Sequence, residues 1–577
     1  MLEELHAASS LLSAALERYL NACSALHDGC SYHSSNTPTE LSDSVNKELA
    51  LVKAHMGKLT QAEVVVKRAR NNLASVPINV LPSEVLVHIF HLVLVQQPCP
   101  LQVPYYWNSE STVRFPKYPD TFSHVCSRWR RIANASHELW SHIDIALSCS
   151  LSKGFCNRAV AYVARAHQAP LDIHFIDPGC IRRVRRPTVH DYDSEQESSD
   201  AENDTDDWNK AMYINNPKEF TFLAPSARPR IRSLGLLAHE QYHPIHNKAL
   251  EHCLVNSLPS SLFELVTDVS GGGFIDPSFF ETSLDLQNRK YASNTHFSGL
   301  LSEQQIESAW RSTATLYLRD RYNRWTSTAY RGLIELRLLG GSRISGSELT
   351  GILGSSPGLR ILHCDFNVSD SPPLRALTIP VILQELEVLN LKGMDQGNIQ
   401  RFLRWLKPGL KPLRLTLCSD PTSALLKDFF ARSNVQEIRV TERRRPLGEQ
   451  PLPPDMFFLP SQLRTLVMID WGRIVQHRIR ARPTSLGLHN GIPSKKLDTL
   501  YMLSCRYDNF DQFHDVVANY SPQSLVLWKC SVGRSYLNSS KIDMPFLESM
   551  LGEGLPQFCP SVECLTSKDP CPLQDWN

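Results

Sequence analysis

Two short patterns in this sequence combine the residue types that hydrolytic enzymes use. His239-Glu240-Gln241-Tyr242-His243 has the H-E-x-x-H spacing, in which two imidazoles on one helical face hold zinc and the glutamate acts as general base. That chemistry needs helical backbone through His243, and Pro244, the very next residue, disfavours it. His239 also falls where a repeat strand, Ile231/Leu234/Leu236, would end. Gly354-Ser355-Ser356-Pro357-Gly358 satisfies G-x-S-x-G, whose serine depends on the backbone N–H of the next residue to hold an oxyanion. That residue is Pro357, which has no N–H. Neither pattern reads as a catalytic site. The sequence also lacks a phosphate-cradling G-x-x-x-x-G-K, a dinucleotide fingerprint, an EF-hand loop and any C-x-x-C pair. No enzymatic activity, cofactor or metal is expected.

The elements around these patterns explain them better. From about residue 146 onward, short apolar runs recur in the form L-x-x-L-x-L-x-x-(N/C). The clearest copies are Leu359/Leu362/Cys364 with Asn367, Leu386/Leu389/Leu391 with Met394, and Leu410/Leu413/Leu415 with Cys418. Others lie at Leu333/Leu336/Leu338, Val435/Ile438/Val440, Leu463/Leu466/Met468 and Leu497/Leu500/Met502. Weaker copies sit at Ile231, Leu262 and Leu525. From 333 the starts step by 26, 27, 24, 25, 28 and 34 residues, and all but the last fall within the roughly 20–29 of a leucine-rich repeat, with one strand and one helix per unit. Helical periodicity at 347–353, 399–406, 423–430 and 510–517 supplies the second element. Each unit would leave an apolar face that only its neighbour can cover, so the units must stack. The expected fold is an α/β solenoid of parallel strands and helices.

Composition sets the frame. The 577 residues are 42% hydrophobic and 21% charged, with a net charge of +1. No global field draws the chain to nucleic acid or an anionic membrane. The most apolar run, Val85 to Val95, contains His88 and His91 and is too short to span a bilayer. An acidic start, with no apolar stretch after it, speaks against a secretory leader. Fifteen scattered cysteines then read as buried thiols of a reducing compartment, cytoplasmic or nuclear. Arg182, Arg183, Arg185 and Arg186 precede an acidic block, 191–207, that is expected to be a disordered surface insertion within about 180–218.

Two N-terminal runs carry heptad-like apolar spacing. Leu2, Leu5, Leu12, Leu16, Tyr19, Cys23 and Leu26 form one seam; Leu41, Val45, Leu49, Val52, Met56, Leu59, Val66 and Leu73 form the other. A helical hairpin over 1–76 is expected, with self-association through the same seam as a second possibility.

Between these regions stand Leu81-Pro82-Ser83-Glu84-Val85-Leu86, then Ile89-Phe90, then Val125-Cys126-Ser127-Arg128-Trp129 with Ile132-Ala133, then Leu139-Trp140. Pro82 suits a helix start. Val85, Ile89 and Leu92, with Leu86, Phe90 and Val93, make an apolar face broader than one small core needs. Phe122, Val125, Cys126, Trp129 and Ile132 make a second stripe, and Ser136 is placed to cap a third helix. The order LP-x-E-x-L-x-x-IF, VC-x-x-W-x-x-I-A, LW resembles the F-box, in the version found in large families of fungal F-box proteins that append leucine-rich repeats. The resemblance implies a three-helix module that docks on the Skp-type adaptor of a cullin-based SCF ubiquitin ligase. It assigns fold and docking to Leu81, Pro82, Leu86, Ile89, Phe90, Val125, Cys126 and Trp129. The sequence departs from a compact F-box by a proline-rich insert at 96–120 bearing Tyr105, Tyr106 and Trp107.

The resulting organisation is a hairpin (1–76), an F-box (77–145) and a repeat region (146–577). The expected role is a substrate-recruiting ligase subunit, and an interaction scaffold unrelated to ubiquitin is the alternative. On the concave strand face, Arg337, His363, Asn390, Arg414, Arg439 and Tyr501 alternate with the buried positions and are expected to meet an unknown protein substrate. Four of the six can be cationic, which favours an acidic or phosphorylated target.

Overall fold

A computed structural model describes residues 2–32, 38–72, 77–95, 119–147, 149–177, 222–223, 228–238, 244–269, 302–340, 343–368, 380–418, 424–441, 459–471, 496–507, 510–532, 535–536, 559–565, 569 and 571–573. The acidic block, the arginine cluster before it and most of the 96–120 insert lie outside these residues, as do His239, Glu240 and His243. The chain divides into two units, Met1–Leu86 with Cys126–Arg128, and Val87–Val125 with Trp129–Asn577.

The first unit holds two long helices, α1 (Leu2–Tyr32) and α2 (Pro38–Asn72). The Tyr19 hydroxyl of α1 donates to Glu48 Oε1 of α2 at 2.7 Å. The predicted seam is largely uncovered. Only Tyr19, Val45 and Val52 are even half-buried among its described side chains, while Leu2, Leu5, Leu12, Leu16, Leu49 and Met56 are exposed.

Next come α3 (Ser83–Val95), α4 (Asp120–Val125) and α5 (Ser127–Ala135). Pro82 stands just before the first turn of α3, and its carbonyl accepts from Leu86 N at 3.2 Å. The stripe from Phe122 to Ile132 is not one helix; it breaks at Cys126. Ser136 caps no third helix. Its hydroxyl turns back to Ile132 O at 2.9 Å, and a single 3-10 turn, His137–Trp140, buries Leu139 and Trp140.

The rest is mixed α/β, built on one 14-stranded parallel sheet whose strands lie in chain order. We number them β1 (His142–Ala146), β2 (Leu171–Asp177), β3 (Ile231–Ala238), β4 (Glu264–Val269), β5 (Thr315–Arg319), β6 (Glu335–Leu339) and β7 (Ile361–Cys364). They continue as β8 (Val388–Leu391), β9 (Leu413–Leu417), β10 (Val435–Thr441), β11 (Thr465–Ile469), β12 (Thr499–Leu503), β13 (Ser524–Trp528) and β14 (Ser561–Leu565). β1 begins within the 77–145 stretch that the sequence assigns to the F-box.

Parallel neighbours need a crossover, and helices supply several. They are α6 (Cys149–Ala166), α7 (Pro244–Asn256), α8 (Glu303–Ala309), α9 (Gly346–Gly354), α10 (Gln396–Trp405), α11 (Ala424–Ala431) and α12 (Phe510–Tyr520). Their starts are encoded locally. Ser345 and Glu348 form a reciprocal capping box on α9, and Asp395 accepts from Asn398 N at 2.9 Å on α10. α7 starts at Pro244, where a missing N–H costs nothing.

Register turns the leucine spacing into a core. Leu336, Leu362, Leu389, Leu415, Ile438, Leu466, Leu500 and Leu525 stand side by side across neighbouring strands. All are essentially fully buried, and each such side chain contributes about 1.5–3 kcal/mol relative to exposure.

One repeat is framed differently from its sequence pattern. Leu410 is 90% exposed, so it does not fill the buried first position. Leu415 and Leu417 pair with Leu389 and Leu391 in unbroken register, so the unit is Leu413-x-Leu415-x-Leu417, and a register shift between Leu413 and Arg414 falls only in the pairing with β10.

Candidate functional site

The eight residues singled out around α3 and α5 separate into two groups. Leu86 and Phe90 are completely buried. The Phe90 ring stacks on Phe122, with centroids 4.3 Å apart, and Trp129 tilts against it at 4.8 Å. Trp140 Nε1 donates to Ala133 O at 2.8 Å, which locks the His137–Trp140 turn onto α5. Leu81 is half-buried, and its carbonyl accepts from Arg128 Nη2 at 2.5 Å.

The second group faces outward. Pro82 is exposed, Ile89 is half-buried, and Val125 is exposed just ahead of the half-buried Cys126. Along α3, Val85 and Leu92 are exposed as well. With Ile89 they give i, i+4, i+7 spacing, one apolar stripe on one helix face.

On the sheet, the alternate positions opposite the leucine layer also run in register. One row reads Asp144, His174, Gly235, Val266, Tyr317, Arg337, His363, Asn390, Thr416, Arg439, Val467, Tyr501, Val526 and Glu563. It holds five of the six predicted substrate-facing residues: Arg337, His363, Asn390, Arg439 and Tyr501. Arg414 is the exception. It stands opposite Val388 and Glu437, one row away, and Thr416 takes the expected place beside Asn390.

The chemistry of this face is less cationic than its composition suggests. Arg337 Nε meets Glu335 Oε1 at 2.5 Å, and Arg414 Nε meets Glu437 Oε2 at 2.9 Å. His363 is 7% exposed. Burial pushes its imidazole down to about 3, with the Arg337 charge adding to the effect, so it is neutral at physiological pH. Exposed positions beside the row are paired too: Arg360 with Glu387, and Lys411 with Glu385 and Glu387. Within the row, then, Arg337 is paired and His363 is neutral.

The far end of the row is covered. Val467, Leu503 and Leu573 form a buried cluster, with Tyr501, Trp528 and Cys571 packed on it. Trp528 Nε1 donates to Asp569 O at 3.2 Å. Tyr501 therefore packs beneath the chain's own C-terminal residues.

At the opposite end lies a group that sequence reasoning missed. His142 and Asp144 of β1 and His174 of β2 lie on one face, with His174 directly beside Asp144. Burial pushes the Asp144 carboxyl up, but the pull of the two imidazoles outweighs it and holds the group well below the usual carboxylate range. The only sequence signal is the His-x-Asp pair, because the strand register alone brings in His174.

The two catalytic lookalikes resolve differently. Ser356 is fully buried; its hydroxyl donates to Tyr330 O at 2.8 Å and accepts from Leu333 N at 3.0 Å, so it ties the end of α9 back to the residues that lead into β6. His246, close to the H-E-x-x-H stretch, is buried with Nε2 3.0 Å from Asp177 Oδ2. No helix among the described residues is long and apolar enough to cross a membrane. No protein-family model matches the chain, and no curated protein matches it.

Proposed function

We propose that this chain is the substrate-recruiting F-box subunit of an SCF-type ubiquitin ligase. α3 to α5 would grip the Skp-type adaptor, and a leucine-rich-repeat-like solenoid would present a protein substrate to the cullin core. The observation that carries the reading is the division of labour in α3. Phe90 and Leu86 turn inward, and Val85, Ile89 and Leu92 leave an apolar stripe at helical spacing on the outside. A helix this short, keeping an exposed stripe beside a satisfied aromatic core, is suited to helix-on-helix docking. The order of residue types from Leu81 to Trp140 supplies the family resemblance.

The strand face from β5 to β10 is the proposed substrate-reading surface, since β11 to β13 are covered by the C-terminal residues. The chain itself would catalyse nothing. Its effect would be to raise the local concentration of substrate near the ubiquitin-charged enzyme. The alternative, a scaffold unrelated to ubiquitin, draws on the exposed leucines of α1 and α2, which offer a second docking surface.

Affinity capture of the intact protein from cells with the proteasome blocked tests the reading. Recovery of the Skp-type adaptor, the cullin and an accumulating protein supports it. Recovery of partners without the adaptor favours the scaffold.

A further inference from the structure

The first two strands of the sheet carry a cluster that adaptor docking does not use. His142 and Asp144 are two residues apart on β1 and share a face, and His174 of β2 is the register partner of Asp144. Asp144 and His174 are 6% and 8% exposed, and His142 is half-buried. One potential ligand atom from each of the three lies within 4.8 Å of the others.

The spacing within the cluster is informative. His142 Nε2 is 3.2 Å and His174 Nδ1 is 3.6 Å from Asp144 Oδ1. Charge-assisted N–H···O bonds run shorter, at about 2.7–2.9 Å. Asp144 Oδ1 is buried, and neither imidazole reaches it with the geometry of a good hydrogen bond, although both pull its carboxyl down. Two donors each about 2.0–2.2 Å from a tetrahedral ion are about 3.4 Å apart, the edge of the coordination tetrahedron. The observed separations bracket that edge. Both separations from Asp144 are those of two ligands on one ion.

We propose that His142, Asp144 and His174 bind one divalent transition-metal ion of the zinc class, pinning β1 to β2. Two imidazoles and one carboxylate select zinc-like ions over magnesium or calcium, which favour all-oxygen shells. Three protein ligands leave a fourth position for water. The location gives the ion a purpose. Among the described residues β1 is the terminal strand, hydrogen-bonded to a strand on one side only, and such an edge leaves backbone groups unpaired, so a cross-link to β2 would help hold it.

The test uses the full-length protein, stripped with a chelator and dialysed against zinc or cobalt(II). We expect one metal per chain by mass spectrometry. The cobalt form should show the intense visible bands of a four-coordinate site, with no thiolate-to-metal charge transfer in the near ultraviolet. Asp144→Asn and His174→Ala should each weaken binding by about 100-fold or more, at least the upper end of what outer-shell changes produce. His239→Ala should leave binding unchanged, which separates this site from the H-E-x-x-H stretch. A wild-type protein without stoichiometric metal, a thiolate band, metal kept by a folded Asp144→Asn variant, or metal lost from His239→Ala would each overturn the proposal. If a ligand variant does not fold, the wild-type stoichiometry and cobalt spectrum decide alone.

Discussion

In the parallel sheet Leu336, Leu362 and Leu389 are completely buried, whereas in the N-terminal helices Leu2, Leu5 and Leu16 stand 68%, 50% and 43% exposed. Both sets are leucines at regular spacing, and both read as interior residues in the sequence. They differ in how many surfaces surround them. A strand leucine has a register partner on either side and, in several units, a helix behind it. A leucine on α1 or α2 depends on one facing helix, and the described link between the two is polar, Tyr19 to Glu48. Periodicity therefore identifies a face; the number of neighbouring elements decides whether that face is covered.

The comparison can be broken by mutation. Leu389→Ala should lower stability by about 2–5 kcal/mol through lost burial and a cavity, read as a drop in denaturant midpoint followed by far-UV dichroism. A smaller effect is expected from pH at His363, which lies on the opposite face of the same sheet. Its folded pKa is depressed to about 3, so below about 6.5 the unfolded chain binds a proton that the folded one refuses. Stability should fall as pH drops through that window, by about 2 kcal/mol at pH 5. His363→Gln should remove this component of the acid sensitivity; an unchanged pH profile would show that the imidazole is not buried neutral. Asp395→Ala, which deletes the cap of α10, should cost about 1 kcal/mol. Smallest of all, Leu5→Ala and Leu16→Ala should change stability by no more than about 0.5 kcal/mol. A larger loss there would show that the N-terminal leucines are covered in solution.

Much of the sheet was legible in the sequence, and its gaps have physical causes. The four helices read from periodicity at 347–353, 399–406, 423–430 and 510–517 correspond to α9, α10, α11 and α12. β1, β2, β5 and β14 escaped because a leucine template does not find them. At the register positions of the leucine layer they carry Ile143 and Ile145, Ile173 and Phe175, and Val562 and Cys564, and Thr313 precedes the leucines of β5. Arg414 was misplaced because Leu410 fits the leucine template but is exposed, so the frame read from it starts two residues early. Tyr501 looked outward by alternation, but its cover comes from residues about 70 positions later in the chain. The His142–Asp144–His174 group is a tertiary fact for the same reason: its third member is set by pairing between strands.

Adaptor binding by the purified full-length chain tests the central claim most directly. An immobilised Skp-type adaptor should retain the wild-type protein at micromolar concentration. A variant carrying Pro82→Glu and Ile89→Asp should lose that retention while keeping the denaturant midpoint of the sheet. Failure of the wild-type protein to bind, or equal binding by the charged variant, would contradict adaptor docking through α3.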